Sequence, residues 1–588
     1  MTSKQTAKGC EFLLAEVTKK SLFTPEDFTS EQQQIAATTE AFVNNEIFPD
    51  LELMEQQDFA LVVEKLRDCA ELGLFLVDIP EEFGGLELDK ATSMLIAEKL
   101  GPTGSFAITC TGQTGIGSLP LVYYGTPQQK EKYLAKLITG EWIGAYCLTE
   151  PDCGSDPLSA RTTATLSADG SCYQLNGVKQ FITNAAFADL FTVFAKIDGK
   201  HFSAFLVERG MAGLSIGSEE KKMGLKGTST AQVILQNVCV PVANLLGEAG
   251  KGHKIAFNVL NIGRLKLSAT VTGAAKGAFS EAAKYAMERK QFGQYLASFG
   301  AIREKLADMA GTLFAAESLL YRVAGLLDER IATLDRTADD YYETYQKAIE
   351  EYAGECAMAK VFCSKTLALV VDEALQIHGG YGYVKEYPIE RYYRDERVNR
   401  IFEGTNEINR LLIPALLFRR ADSGDLDLWD RVRAVREQLH AKGTTEEVTT
   451  TPFGIEFSLL ARLKKLFLLL VGALGENRSE QEILLALGDM AIGIFALESA
   501  LLRAEKVLCI ASERRKALLQ ATVKSVTFAL VAQVQVDAAR CAAYGVQEPH
   551  LAALQKTIAS LAAYPVAGLL EAKQLLADAA SEAGAYPF

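Results

Sequence analysis

Apolar residues recur every three or four positions through most of this chain, and one interior stretch breaks that rhythm with alternation. ALVVEKLRDCAELGLFLVDI (60–79) and QQKEKYLAKLITGE (128–141) carry the helical spacing, the second closing at Gly140, and predict a helical domain over 31–145. Residues 146–250 alternate instead. SCYQLNG (171–177) predicts a short strand running into an Asn-Gly turn, and LFTVFAKIDGKHFSAFLVE (190–208) predicts a hairpin over Asp198-Gly199. TAQVILQNVCVP (230–241) adds another strand. Helical spacing returns over 251–420, in AKGAFSEAAKYAMERKQFG (275–293) and CAMAKVFCSKTLALVVDEALQIHGG (356–380). YYETYQKAIEEYAGE (341–355) is charged on one side and predicts a helix partly in solvent.

Two polar tracts, ADSGDLDL (421–428) and AKGTTEEVTTTPFG (441–454), mark a linker over 421–454, and 455–588 is helical again. Three stripes there have helical spacing: Leu459, Leu463, Leu466, Leu470 and Leu474; Ile483, Leu487, Met490, Ile494, Leu497 and Leu501; and Leu551, Leu554, Ile558 and Leu561. Each must be buried against something. The fold class is α+β multidomain: an N-terminal helical domain, a central β domain, a C-terminal helical bundle and an additional C-terminal helical domain.

With 588 residues, 49% of them hydrophobic, the chain can bury several cores. A net charge of −14 and a pI near 5.2 argue against a nucleic-acid surface. The eleven cysteines form no CxxC pair and only five histidines occur, which disfavours a metal site; the size of the core disfavours a disulfide framework, so reduced thiols in a cytoplasmic protein are expected. The N-terminal apolar run is too short for a signal peptide. LFLLLVGAL (466–474) falls short of the roughly eighteen consecutive apolar residues of a membrane span, so membrane contact is expected to be peripheral at most.

The glycine clusters GQTGIG, GGYGY and GEAGKGHK have neither the spacing nor the setting of a dinucleotide or phosphate loop. LTEPDCGSD (148–156) combines hydroxyls, a proline bend and a glycine at the entrance to the β domain, and can offer backbone N–H groups to a polar, planar ligand; it also fits an ordinary turn. ERKQFG (288–293) sets Arg289 beside an aromatic and a glycine at a helix end, where Arg can pair with phosphate or simply face water. RIFEGTNEINR (400–410) sets Glu403 between the apolar pair Ile401-Phe402 and Gly404. A carboxylate held against apolar neighbours can accept a proton near neutral pH, although the segment alone also fits a solvated helix-end Glu with a glycine cap.

LTEPDCGSD, LNGVKQFITNA, KKMGLKGTST, VPVANLLGEAGKGHKIAFNVLNIGR, ERKQFG, ALQIHGGYGY and RIFEGTNEINR occur in the order and at about the spacing found in acyl-CoA dehydrogenases. The resemblance spans residues 35–420 and implies FAD, an acyl-CoA substrate and a β domain between two helical domains. It implies that Tyr146, Leu148, Thr149, Gly154 and Ser155 line the flavin, with Ser155 also reaching the substrate, and that Phe181, Ile182 and Thr183 pack on the isoalloxazine. Arg289, Gln291, Phe292, Gln376, Gly379 and Gly380 resemble residues that hold the FAD of a neighbouring subunit. Thr405, Asn406 and Glu407 resemble the loop near its phosphates and adenosine, and Asn261, Arg264 and Gly404 lie on the substrate side. Glu403 falls on the family's catalytic base, which removes the α-proton while the β-hydrogen leaves as hydride, giving a trans-2-enoyl-CoA. Its backbone N–H and a flavin ribityl hydroxyl would hold the thioester carbonyl. Some relatives carry the base immediately before the arginine matching Arg264; here that residue is Gly263.

The family's usual Trp on the flavin is Phe181 here, and its Arg-x-Ser after Met-Gly is Lys226-Gly227-Thr228. The length beyond 420 is similar to the very-long-chain members and their bacterial relatives. The resemblance therefore implies dehydrogenation of a long-chain acyl-CoA in fatty-acid β-oxidation, with electrons passed to an electron-transferring flavoprotein. A homodimer is expected, with the extra helical domain covering the face where shorter relatives place a second dimer; a self-contained bundle serving stability alone, and an interfacial helix over ARLKKLFLLLVGAL (461–474), are the alternatives for that domain. An acyl-CoA oxidase using oxygen, and a non-catalytic scaffold that kept the fold, are the rival readings. The intact base and FAD positions speak against the scaffold.

Overall fold

The computed structural model of the chain describes residues 6–15, 22–440, 452–474 and 479–588. The first helical layer comprises α1 (Ser30–Phe42), α2 (Leu51–Glu55), α3 (Phe59–Glu71), α4 (Lys90–Leu100), α5 (Ser105–Gly112), α6 (Leu119–Tyr124) and α7 (Pro127–Ile138). Side-chain caps set its starts: Thr29, Asp58, Asp89 and Thr126 each accept from a backbone N–H in the first turn of α1, α3, α4 and α7. Between α5 and α6 the backbone leaves helical geometry at Gly115 (φ −107°, ψ −106°), and a wide turn over 113–117 results.

The β domain contains β1 (Gly144–Cys147), β2 (Thr163–Leu166), β3 (Cys172–Thr183), β4 (Leu190–Ile197), β5 (His201–Glu208), β6 (Leu214–Ile216), β7 (Thr230–Pro241) and β8 (Leu245–Leu246). Their order is β6-β7-β3-β2-β4-β5-β8, with β1 and β2 both parallel to β4. The β4–β5 hairpin turns over Asp198-Gly199, both with positive φ, as the alternation predicted. Asn176-Gly177 does not turn: β3 runs on to Thr183, and the pair forms an irregularity against β7. The signal was misleading because β7 continues opposite and gives β3 a partner past the glycine. β3 and β7 also carry a Cys172–Cys239 disulfide, against the expectation that every thiol is reduced. The two cysteines lie 67 positions apart in sequence and meet only once the strands pair.

The second helical layer is α8 (Gly252–Glu288), α9 (Gly300–Ile331), α10 (Tyr341–Glu351), α11 (Ala353–His378), α12 (Ile389–Glu396) and α13 (Asn406–Asp422). After it come α14 (Leu428–His440), α15 (Gly454–Leu474), α16 (Gln481–Leu508), α17 (Glu513–Gly545), α18 (His550–Leu561) and α19 (Leu569–Ala583). Helix α14 lies inside the stretch expected as linker, and the stacking of Trp429 on Phe418 seats its start on α13; residues 441–451 of that stretch lie outside the described residues. The first two C-terminal stripes are buried along their whole length, as are Leu554 and Ile558 of the third. Helices α16, α17 and α19 pack on α9, and α16 also on α13, so the C-terminal helices share a core with the catalytic-side helices. Contrary to the count of consecutive apolar residues, α9, α16 and α17 are long and apolar enough to cross a membrane by length and composition. The apolar stretches of α9 and α16 are mostly buried against other helices.

Ionic contacts reinforce that junction. Arg503, fully buried on α16, pairs with Glu26 at 2.9 Å and with Glu317 of α9 at 2.6 Å. Glu317 also pairs with Lys276, which reaches Glu98 at 2.6 Å. Burial works against ionisation of Glu317, but Arg503 and Lys276 outweigh it and hold the carboxyl down to about 2. Arg503→Met would leave Glu317 buried with Lys276 as its remaining cation and would remove the partner of Glu26, and a loss of about 3–5 kcal/mol is expected, read as a lower denaturation midpoint.

Candidate active site

Glu403 sits in the bend between a short helical turn (Arg397–Arg400) and α13, whose first turn is capped by the Thr405 hydroxyl accepting from the Ile408 N–H at 3.2 Å. Both Glu403 (φ +57°) and Gly404 (φ +78°) are left-handed, a conformation that costs a non-glycine residue roughly 1–3 kcal/mol unless the surroundings hold it. Three helices do so. Arg264 of α8 donates Nε–H to the Glu403 carbonyl at 3.2 Å. Asn409 of α13 donates to the carbonyls of Glu403, Gly404 and Thr405 at 3.3, 2.8 and 3.1 Å. Lys360 of α11 donates to the Gly404 carbonyl at 2.8 Å. A solvated helix-end glutamate does not describe this residue: its backbone is clamped and its side chain turns inward.

The Glu403 Oε2 is buried and has no hydrogen-bond partner. Burial pushes its carboxyl above the usual range, while Arg264 and Lys360 pull against that rise. A Cβ added at Gly263 would lie 2.7 Å from this oxygen, so position 263 must be empty for the carboxylate to keep its place. The buried Tyr146 phenol is raised by burial and, next, by the Glu403 charge. Arg264, itself buried, donates to the Asn261 side chain at 2.9 Å. Asn261, Arg264, Glu403 and Gly404 therefore form one cluster, and Tyr146, expected to line the flavin, also faces the Glu403 carboxyl. A carboxylate whose Oε2 is buried and carries no donor is free to accept a proton there.

Tyr146 lies in β1, and the chain after that strand is laid against β3: Lys179 donates to the Leu148 carbonyl at 3.3 Å, and the Gln180 N–H to the Thr149 carbonyl at 2.8 Å. Phe181 shows 61% of its surface and has φ +57°, while the neighbouring Ile182 is buried. A large exposed ring on a left-handed strand residue is uncommon without a surface to lie on. Close by, Asn184 donates to the Thr109 carbonyl at 3.3 Å, yet its Oδ1 and the Thr109 hydroxyl are buried without partners. Nothing lies within 4 Å of a Cβ built on Gly154. An exposed ring, orphaned polar atoms and an open glycine together fit a planar group with a polar rim, which is what FAD requires.

Arg289, Gln291, Gly379 and Gly380 line a second space, a cavity of about 780 Å³, with Arg289 over the Tyr381 ring and Phe292 almost fully exposed beside it. Gln376 is exposed at the end of α11. Arg289 follows the end of α8, about seven turns beyond Arg264 and so roughly 37 Å away at 1.5 Å per residue. Glu407 is exposed, but the Asn406 side chain, expected beside a cofactor, is committed inward: it accepts from Lys360 at 2.8 Å and donates to Ser364 at 3.1 Å. Lys226-Gly227-Thr228 docks the β domain on α5, Thr228 donating to the Ser105 carbonyl at 2.7 Å. Lys360 and Asn409 escaped the sequence reading. The available signal was a lone lysine in the apolar run CAMAKVFC.

Residues 29–141, 145–238 and 250–417 match the acyl-CoA dehydrogenase N-terminal, middle and C-terminal domains, and 462–547 match a second family described as acyl-CoA dehydrogenase, C-terminal domain. A probable acyl-CoA dehydrogenase of Bacillus subtilis (strain 168) is 47% identical over 508 residues, 85% of this chain and 85% of that protein. The human mitochondrial very long-chain specific acyl-CoA dehydrogenase is 41% identical over 353 residues, covering 58% of this chain and 51% of that protein. The crystal structure of an acyl-CoA dehydrogenase complexed with FAD from Bacillus anthracis matches with a TM-score of 0.96 at 45% identity, over 99% of this chain and 100% of that one. The chain belongs to the acyl-CoA dehydrogenase family, FAD-dependent oxidoreductases that act on a CH–CH bond.

Proposed function

We propose that this chain dehydrogenates a long-chain acyl-CoA to the trans-2-enoyl-CoA, with Glu403 as the base, and delivers the electrons to an electron-transferring flavoprotein in cytoplasmic β-oxidation. The partner-free, buried Oε2 of Glu403 carries this reading. A thioester α-proton is weakly acidic, and a carboxylate raised by burial is matched to it better than a solvated one. Arg264 and Asn409 fix the Glu403 backbone so that its N–H can donate to the thioester carbonyl, where negative charge develops. Asn261, Ser155 and Gly404 complete the substrate side. Tyr146, Leu148, Thr149, Gly154, Ser155, Phe181, Ile182 and Thr183 would hold the flavin, with the backbone of Thr405, Asn406 and Glu407 near its phosphates. When bound, the flavin supplies the two-electron acceptor.

The preference for long chains rests on the resemblance to the very-long-chain members, since a Cβ added at Gly112 would already be in ordinary contact with Thr183 and Asn184, at 3.5 and 3.6 Å. Gly117 is packed backbone to backbone on Gly144. A homodimer is favoured by the separation of Arg289 from Glu403, since one extended dinucleotide is too short to reach both within a single chain. Arg289→Glu is accordingly expected to release FAD and loosen the dimer together, and stoichiometric FAD after gel filtration would return Arg289 to the surface. The function itself is tested by mixing the holoenzyme anaerobically with saturated acyl-CoAs of increasing length. Flavin bleaching that strengthens with length, followed by reoxidation through the flavoprotein and not oxygen, is expected. Fast reoxidation by oxygen would make the chain an oxidase.

A further inference from the structure

Lys360 has no accessible surface and stands on α11 among Met358, Ala359, Val361 and Cys363. Its ammonium donates to the Gly404 carbonyl at 2.8 Å and to the Asn406 side-chain oxygen at 2.8 Å, and neither acceptor is charged. Burying an ammonium on neutral acceptors is costly, and a well-packed apolar residue would serve stability better. The two acceptors flank the left-handed step of the chain that carries Glu403, and Asn406 is tied on to Ser364 one turn along the same helix. Arg264 and Asn409 hold that step from α8 and α13, so Lys360 supplies the third side.

We propose that Lys360 is a positioning residue for proton abstraction, holding the Gly404 carbonyl and Asn406 so that the Glu403 carboxylate stays aimed at the substrate, and favouring its ionised form by charge. The proposal rests on Glu403 being the base. The charged and titratable groups around the pair are Arg264 on α8, Tyr146 on β1, Cys356 on α11 and Glu407 on α13. Only Arg264 and Lys360 lower the Glu403 carboxyl against the larger effect of burial. Burial in turn brings Lys360 down to about 7, opposed first by Glu403. Removing Lys360 takes away one of two cations that favour the carboxylate. The Glu403 carboxyl then rises further, and the pH below which abstraction fails moves upward.

The test is anaerobic single-turnover flavin reduction by a saturated acyl-CoA across pH, in FAD-replete wild type, Lys360→Met, Lys360→Gln and Glu403→Gln. Lys360→Met is expected to slow reduction roughly 10–100-fold at its plateau, as a slightly misaimed base does. Its acid limb should move up by about one pH unit, with acyl-CoA affinity changed less than about threefold. Lys360→Gln keeps two N–H donors without the charge, and should recover part of the plateau while keeping the shifted limb. An unshifted limb in both variants overturns the proposal, because a purely structural role slows every pH alike. Failure of both to accumulate as FAD-replete protein also overturns it, assigning Lys360 to folding. Normal reduction by Glu403→Gln would instead overturn the base assignment, whereas loss there with unaffected Lys360 variants would leave the base standing and remove Lys360 alone.

Discussion

A chain ending at Asp422 is expected to aggregate or to run as a tetramer, while the full chain runs as a dimer by light scattering. The face it would expose is not one built for water. Gly488 lies so close to α13 that a Cβ there would meet the Arg410 carbonyl at 2.4 Å, and Gly311 of α9 faces Val526 at 3.3 Å in the same sense. Phe314 packs on Phe588 with centroids 4.8 Å apart, and Arg410 and Lys365 both pair with Asp489. Truncation removes all of these partners together with Arg503, leaving Glu317 buried beside Lys276 and an apolar face along α9 and α13. Apolar patches of that kind are covered by association or lead to aggregation. A soluble monomeric core, or a tetrameric full chain, would contradict the proposed packing role of the C-terminal domain.

Much of this architecture was legible because helical spacing and strand alternation differ in period, and because the C-terminal stripes were long enough to demand a buried partner. What escaped was set by contacts between distant segments. Asn176-Gly177 carries a turn signal, but β7 opposite it decided otherwise. The Cys172–Cys239 bond depends on that same pairing, and α14 forms where Trp429 finds Phe418. At the site, the neighbours of Glu403 left a helix-end glutamate equally open, and it was the order and spacing of seven motifs that marked Glu403 as the base and gave Gly263 its meaning before Arg264. The supports were not legible: Lys360 and Asn409 reach the turn from two separate helices, and their role exists only once α11 and α13 are packed. Asn406 was assigned to a cofactor from motif position, whereas burial gives its side chain to Lys360.

Glu403→Gln tests the central claim most directly, by anaerobic single-turnover reduction of the bound flavin with a saturated acyl-CoA. The amide has nearly the shape of the carboxylate, and the clamp on the Glu403 backbone comes from Arg264, Asn409 and Lys360, none of which bonds the side chain. The variant should therefore fold, stay yellow and bind acyl-CoA. In wild type the rate should fall as pH drops through the raised carboxyl pKa, because the protonated acid cannot take a second proton. In the variant no group at that position can take it at any pH. A general base contributes roughly 10²–10⁴-fold, and the loss here is expected at or beyond the upper end, since the amide cannot take the α-proton. Flavin reduction slowed by that amount, with FAD and acyl-CoA binding intact, is the expected result; reduction near the wild-type rate would contradict it and send the search for the base elsewhere.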